Sequence, residues 1–147
     1  MLPEAKWRQF GLPNMEVKGI VIHNTNAPNK TAKDLLKYMS ETETSKGAHY
    51  FVDEEKTVQA MPEDWSCFNT GQGYDFGNTS CISIEICTKG YEKAEEKTVK
   101  LIKKLLKKYH LTTDDIYFHR DFNRTVNCPA QTLKKYGTKN EFIRRNF

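Results

Sequence analysis

Two short runs constrain this chain more than anything else in it: VKGIVIHN (residues 17–24) and SCISIEIC (residues 80–87). The first is short, β-branched and followed by the Pro/Asn-rich stretch NAPNKT, so it reads as a buried strand with His23 at its C-terminal end. The second alternates, with Cys81, Ser83, Glu85 and Cys87 on one face and Ile82, Ile84 and Ile86 on the other. One of its faces therefore carries a carboxylate. What lies around these runs sets the fold. Thr31 can cap a helix that reaches about Ser40 and has Leu35, Leu36 and Met39 on one side, and AHYFVD and TVQAM, separated by DEEK, have the pattern of a hairpin. Residues 62–80 are rich in Gly, Asn and aromatics without a period and read as a long loop, a kind of segment that usually carries function.

The clearest helix spans residues 92–109, where Val99, Ile102, Leu105, Leu106 and Tyr109 form an apolar stripe. Glu92, Glu95 and Glu96 open it and Lys107 and Lys108 close it, the sense that suits the helix dipole. DIYFH is another short strand. PAQTLKKYG is a short helix with Pro129 in its first turn and Gly137 beyond its end, and residues 140–146 form a small docking helix. The order β-α-β-β-loop-β-α-β-α predicts a mixed α/β fold, a single central mixed sheet with helices packed on it.

A chain of 147 residues fits one domain with a core of its own, so residues 1–147 are expected to form a single domain. Apolar content of 37% and an aromatic share of 12% argue against disorder. No apolar run approaches the roughly 20 residues of a membrane-spanning helix, and the N-terminal stretch MLPEAKWRQFGLPNME lacks the apolar centre of a secretory signal. The expectation is a protein made in the cytoplasm and not held by a membrane. Cys67, Cys81, Cys87 and Cys128 are read as reduced thiols, because the chain is large for a disulfide scaffold. A net charge of +4 favours acidic partners, either nucleic acid or an anionic wall polymer, and charge alone does not choose.

Chemistry enters with IYFHRDFNRTVNCPA, in which His119 and Cys128 stand eight residues apart, one ending a strand and the other starting a helix. Imidazole and thiolate are zinc donors, and a hydrolytic zinc site takes three protein ligands and leaves a fourth place open. His23 is the best third candidate, since it too ends a central strand. Each signal is weak alone: a lone histidine is more often a core or surface residue, and free cysteines are commonly inert. Cys128 stands apart because it lies at a helix start, where the dipole favours a thiolate.

Taken in order, IVIHNT, AHYFVD, a Trp/Gly-rich loop, GNTSCISIEIC and HRDFNRTVNCP resemble the type 2 family of N-acetylmuramoyl-L-alanine amidases, over residues 17–133. Phage endolysins, bacterial autolysins and animal peptidoglycan recognition proteins share that fold, and the chain looks most like the catalytic domains of endolysins from Gram-positive hosts. The resemblance implies that His23, His119 and Cys128 hold one zinc ion. It also implies that Glu85 activates the attacking water as general base and acid, and that the bond cut joins the lactyl group of N-acetylmuramic acid to L-alanine in peptidoglycan. A plainer alternative for Glu85 is a rim carboxylate paired with a lysine.

Two departures from the family pattern stand out. Where many relatives carry a lysine two residues before the cysteine, this chain has Val126, so Arg124, or more weakly Thr125, is expected to take over as donor to the developing oxyanion. The aromatic that often precedes the histidine of the second strand is Ala48 here, and His49 itself is assigned to substrate contact or support of the site, with a satisfied core histidine as the alternative. The substrate groove is expected to use Asn24, Thr25, Trp65, Phe68 and Asn69, aromatic faces packing on sugar rings; for Trp65 the alternative is a core plug. His110 is read as a helix-terminal residue without function, and the lysines of residues 97–108 as a solvated face.

The implied partner is therefore bacterial peptidoglycan rather than nucleic acid or membrane, met by a monomer. A phage or prophage lysin released through a holin-type pore, with no wall-binding domain within this chain, fits these features. Two rivals are a peptidoglycan-binding module without activity and a cysteine hydrolase using Cys128 or Cys67 as nucleophile.

Overall fold

A computed structural model describes residues 1–147. Its centre is one five-stranded sheet in the order β3-β2-β4-β1-β5, formed by β1 (Gly19–Asn24), β2 (Tyr50–Val52), β3 (Thr57–Gln59), β4 (Cys81–Ile86) and β5 (Ile116–Phe118). Only β2 and β3 run antiparallel; β2–β4, β4–β1 and β1–β5 are parallel pairs. The expected mixed sheet with helices packed on it is the one found. No helix is long and apolar enough to cross a membrane.

Because β1 and β4 are flanked by strands on both sides, each of their faces must be covered by other elements. Ile20 and Ile22 of β1 and Ile82, Ile84 and Ile86 of β4 point to one face. There they join Val99, Ile102, Leu105 and Leu106 of α4 (Tyr91–Lys108), and Tyr136 and Phe142 of α6 (Ala130–Tyr136) and α7 (Lys139–Asn146). A fully buried isoleucine contributes roughly 2 kcal/mol, so this face anchors the strands. On the opposite side a smaller core gathers Phe10 of α1 (Glu4–Phe10), Met39 of α2 (Ala32–Glu41), Phe51 of β2, Met61 and Cys67. Thr31 does cap α2: its hydroxyl accepts from the Asp34 N–H at 3.2 Å while the Asp34 carboxylate accepts from the Thr31 N–H at 2.9 Å.

Three short helices go beyond the sequence reading. α1 follows Pro3 with Glu4 in its first turn, α3 (Phe76–Ser80) lies inside the segment read as irregular, and α5 (His119–Phe122) starts where β5 stops. The end of α1 and the segments that follow α1 and α2 are bonded to the long loop. Backbone bonds run from Phe68 N to Phe10 O at 2.9 Å, from Ser66 N to Leu12 O at 2.8 Å and from Gly47 N to Phe68 O at 3.0 Å. A Cβ on Gly11 would lie 1.9 Å from the Ser66 carbonyl oxygen, so only glycine allows this close approach. Further back, Glu63 accepts from Lys108 at 2.5 Å and from the hydroxyls of Tyr50 and Tyr109, tying the root of the loop to α4 and β2.

Candidate metal centre

Parity along the strands decides what faces the groove. In the β1–β4 register His23 lies opposite Glu85, and both belong to the face away from the isoleucines. The His23 Nδ1 is 3.8 Å from the nearer Glu85 oxygen. His119, first residue of α5, brings its ring to 4.6 Å from that of His23. The chain then loops out and returns, closed by a bond from the Arg120 N–H to the Cys128 carbonyl at 3.0 Å, which sets the Cys128 Sγ 3.7 Å from the His23 Nδ1. One donor atom from each of His23, His119 and Cys128 lies within 4.8 Å of the other two.

This set suits zinc. On a tetrahedral ion, nitrogen and sulfur ligands stand about 3.6 Å apart, close to the 3.7 Å between Cys128 and His23. Burial, reinforced by the neighbouring His119, pulls the His23 pKa down to about 3 against the hydrogen bond to Asn69, so the imidazole is neutral at ordinary pH, as a ligand must be. Cys128 departs from expectation. Its thiol is pushed up to about 12, because burial outweighs the bond from the Asn24 backbone and Glu85 adds repulsion. The helix whose dipole was expected to favour a thiolate begins only at Ala130. A thiol of this kind needs a cation beside it to lose its proton.

Glu85 is also shaped by burial, which raises its carboxyl from 4.5 to about 8. Some 21% of its side chain still meets the groove, and its Oε2 is buried with no hydrogen-bond partner. Its partner at ion-pair distance is the His23 imidazole, and no lysine pairs with it as the plainer reading would have it. Around these four residues runs a groove of about 870 Å³, the size of a small-ligand cleft, whose walls include Thr25, Tyr38, Lys46, Asn69, Asn123 and Val126.

Asn24 borders the groove as expected, with its side chain anchored behind it: Oδ1 accepts from the Thr132 N–H at 2.9 Å and faces the Thr132 hydroxyl at 3.2 Å. Other expected site residues fall elsewhere. Trp65 and Phe68 do not line the groove: Trp65 packs edge-on against Trp7 of α1 with Arg8 over its ring, and Phe68 against Tyr74. The plug alternative for Trp65 is the arrangement seen. His49 is wholly buried and satisfied; its Nδ1 accepts from the Ser83 N–H at 3.0 Å and its Nε2–H donates to the Trp65 carbonyl at 2.7 Å. It braces β4 two residues before Glu85 and has no path to a substrate.

Burial lowers the His49 pKa to about 4, against opposing pulls from Trp65 and Glu63. The folded imidazole therefore stays neutral where the unfolded one, near 6.5, takes a proton. Its contribution to stability is present above pH 6.5 and is lost as pH falls towards about 4. Thermal melts from pH 7 to 4 should show a shallower acid-side decline for His49→Gln than for the parent; equal slopes would contradict this assignment.

Arg124 is exposed, makes no hydrogen bond or ion pair, and lies outside the groove walls, while the Thr125 hydroxyl is occupied by Asn123 at 2.6 Å. The loop turns Val126, not Arg124, towards the site. Arg124→Ala is accordingly expected to change turnover by no more than about twofold, as for a surface substitution, and a loss of about a hundredfold would restore the oxyanion role. His110 lies just past the Tyr109 cap of α4 with a positive φ of 54° and is exposed, consistent with a helix-terminal residue. All four cysteines are free thiols, and Cys67 is fully buried and pushed up to about 12, so it is no nucleophile.

The sequence reading missed Thr70, Asn78, Ser83 and Thr132, whose bonds hold the site residues in place. No spacing announces them, because each acts through an element distant in the chain.

Comparison with known proteins agrees with this geometry. The family described as N-acetylmuramoyl-L-alanine amidase matches residues 13–131. The chain is similar to the N-acetylmuramoyl-L-alanine amidase CwlA of Bacillus subtilis (strain 168), with 32% identity over 136 residues covering 86% of this chain and 49% of CwlA. It spans about half the length of the curated relatives it matches. Among solved structures it resembles PlyL, with a TM-score of 0.89 and 25% identity over 98% of this chain and 92% of PlyL. It shares the fold of the catalytic domain of XlyA, with a TM-score of 0.82 and 23% identity over 90% of this chain and 91% of that one.

Proposed function

Since the chain belongs to the N-acetylmuramoyl-L-alanine amidase family, we propose that it hydrolyses the amide between the lactyl group of N-acetylmuramic acid and L-alanine in peptidoglycan, using one zinc ion. The observation that carries this reading is Glu85 lying beside His23 in register, at the same end of the sheet as His119 and Cys128, with one carboxylate oxygen unpartnered. His23, His119 and Cys128 would hold the ion. When bound, zinc supplies Lewis acidity, polarising a carbonyl oxygen and making water acidic enough to react at neutral pH.

The other steps fall to the protein. Glu85 takes a proton from the attacking water as its oxygen bonds to the carbonyl carbon, then delivers a proton to the alanine nitrogen as the C–N bond breaks. The products are a lactyl carboxylate and a free L-alanine amine. Burial around Glu85 raises its proton affinity, which suits a group that must accept a proton and give it back. Thr25, Tyr38 and Lys46 on the groove walls are placed to meet the glycan and stem peptide. The one sheet with its two cores, residues 1–147, acts as a single catalytic domain, and the wall is its site of action, in the manner of a lysis enzyme of the endolysin type.

The test is digestion of purified Gram-positive walls with labelling of new amine termini. Free L-alanine amines should appear, disappear on chelation and return with added zinc. Release of reducing sugar ends in their place would contradict the assigned bond. Activity that ignores chelation but is lost on thiol alkylation of metal-free protein would point to a cysteine hydrolase. Tight wall binding without release would point to a binding module.

A further inference from the structure

The two histidines are each held through Nε2. His119 Nε2 lies 2.9 Å from the Thr70 carbonyl oxygen, which can only accept, so Nε2 carries the hydrogen. His23 Nε2 lies 2.9 Å from the Asn69 Oδ1. The Asn69 amide has no freedom to flip, because its Nδ2 donates to the Cys67 carbonyl at 2.5 Å. His23 Nε2 must therefore donate as well. In both rings the Nδ1 lone pair is left for the cluster, where the His23 Nδ1 already faces Cys128 at 3.7 Å.

Asn69 and Thr70 are themselves fixed by one side chain. Asn78 is 1% exposed, and its Oδ1 accepts from the Asn69 N–H at 2.7 Å and the Thr70 N–H at 2.9 Å. Its Nδ2 donates to the Gly73 carbonyl at 2.7 Å and its own N–H to Asp75 at 2.8 Å. The Thr70 hydroxyl also donates to Asp75, at 2.7 Å. From these bonds we infer that Asn69, Thr70 and Asn78 are positioning residues that lock both histidines in the tautomer with hydrogen on Nε2, and that Asn78 holds the lock together. A neutral imidazole in the other tautomer would turn an N–H towards Cys128 and remove one ligand. Asn69, expected to contact substrate, acts through His23. The inference rests on the reading of these residues as a metal centre.

The experiment is long-range proton–nitrogen correlation NMR of the metal-free protein labelled at its imidazole nitrogens, paired with zinc titration. Wild-type His23 and His119 should both show the Nε2–H pattern. Asn69→Ala should release His23 alone and weaken zinc binding by about 10- to 100-fold, while Asn69→Asp, which keeps the acceptor, should retain the tautomer and bring affinity back to within about tenfold. Asn78→Ala should disturb both rings; if it does not fold, the Asn69 pair still decides. Hydrogen on Nδ1 of either ring in wild type, or unchanged tautomer and zinc affinity in Asn69→Ala, would overturn the lock. These spectra need neither metal nor substrate, so a protein that shows the Nε2–H tautomer in both rings yet frees no L-alanine sinks the amidase reading and leaves the lock standing.

Discussion

Glu85→Gln is expected to keep its fold and its zinc and to lose about 10³-fold in turnover, the usual worth of a general acid–base group. The reason is steric and electronic together. A glutamine amide fits where the carboxyl fits, between β1 and β2, without adding volume. It leaves the three donor residues untouched, yet it accepts no proton at neutral pH. Glu85 in its native form has an oxygen, Oε2, that no protein group satisfies, on a side chain only partly open to the groove. Such an unpaired buried oxygen costs stability and is retained where a reaction uses it. The measurement is release of L-alanine amines by variant and parent loaded to equal zinc content. A variant within about tenfold of the parent would mean that Glu85 is not the base.

Cys128→Ser is expected to act first on the metal, weakening zinc binding by at least about 100-fold, since even indirect partners of a ligand are worth 10- to 100-fold. Activity at limiting zinc should fall with occupancy and recover in part when zinc is in excess. Serine matches the shape of cysteine but offers a hydroxyl, a far poorer donor to zinc than sulfur. The fold should survive, because Cys128 is only half-buried and its carbonyl bond to Arg120 does not involve the side chain. Zinc stoichiometry and affinity unchanged from the parent would remove Cys128 from the ligand set. Unchanged zinc with abolished turnover would favour its use as a nucleophile.

How far the site could be read from the residues depends on the range of the interaction. His23 and Glu85 both sit on strands whose periods are visible, and parallel pairing of those strands puts them side by side. Asn24, next along β1, borders the groove as its place beside His23 suggests, while its side chain is tied to Thr132. For Trp65, Phe68 and His49 there was no such signal. Trp65 and Phe68 are set by α1 and by the Phe10–Leu12 contact with the long loop, a pairing of segments more than fifty residues apart, and His49 by Ser83 of β4 and the Trp65 carbonyl. The Arg124 guanidinium has the donors an oxyanion needs, whereas the course of its loop turns Val126 inward.

The sequence by itself determined the strands, the long amphipathic helix and the mixed α/β class, because these follow from periods of 2.0 and 3.6, and its ordered motifs singled out the three candidate donor residues through their resemblance to a known family. Only the tertiary structure decided which nitrogen of each histidine is held, that Asn69 and Asn78 serve the histidines, and that His49 is buried and Trp65 packs against the smaller core. Those outcomes depend on hydrogen bonds and packing between elements far apart in the chain, whose geometry exists only once the sheet has brought them together.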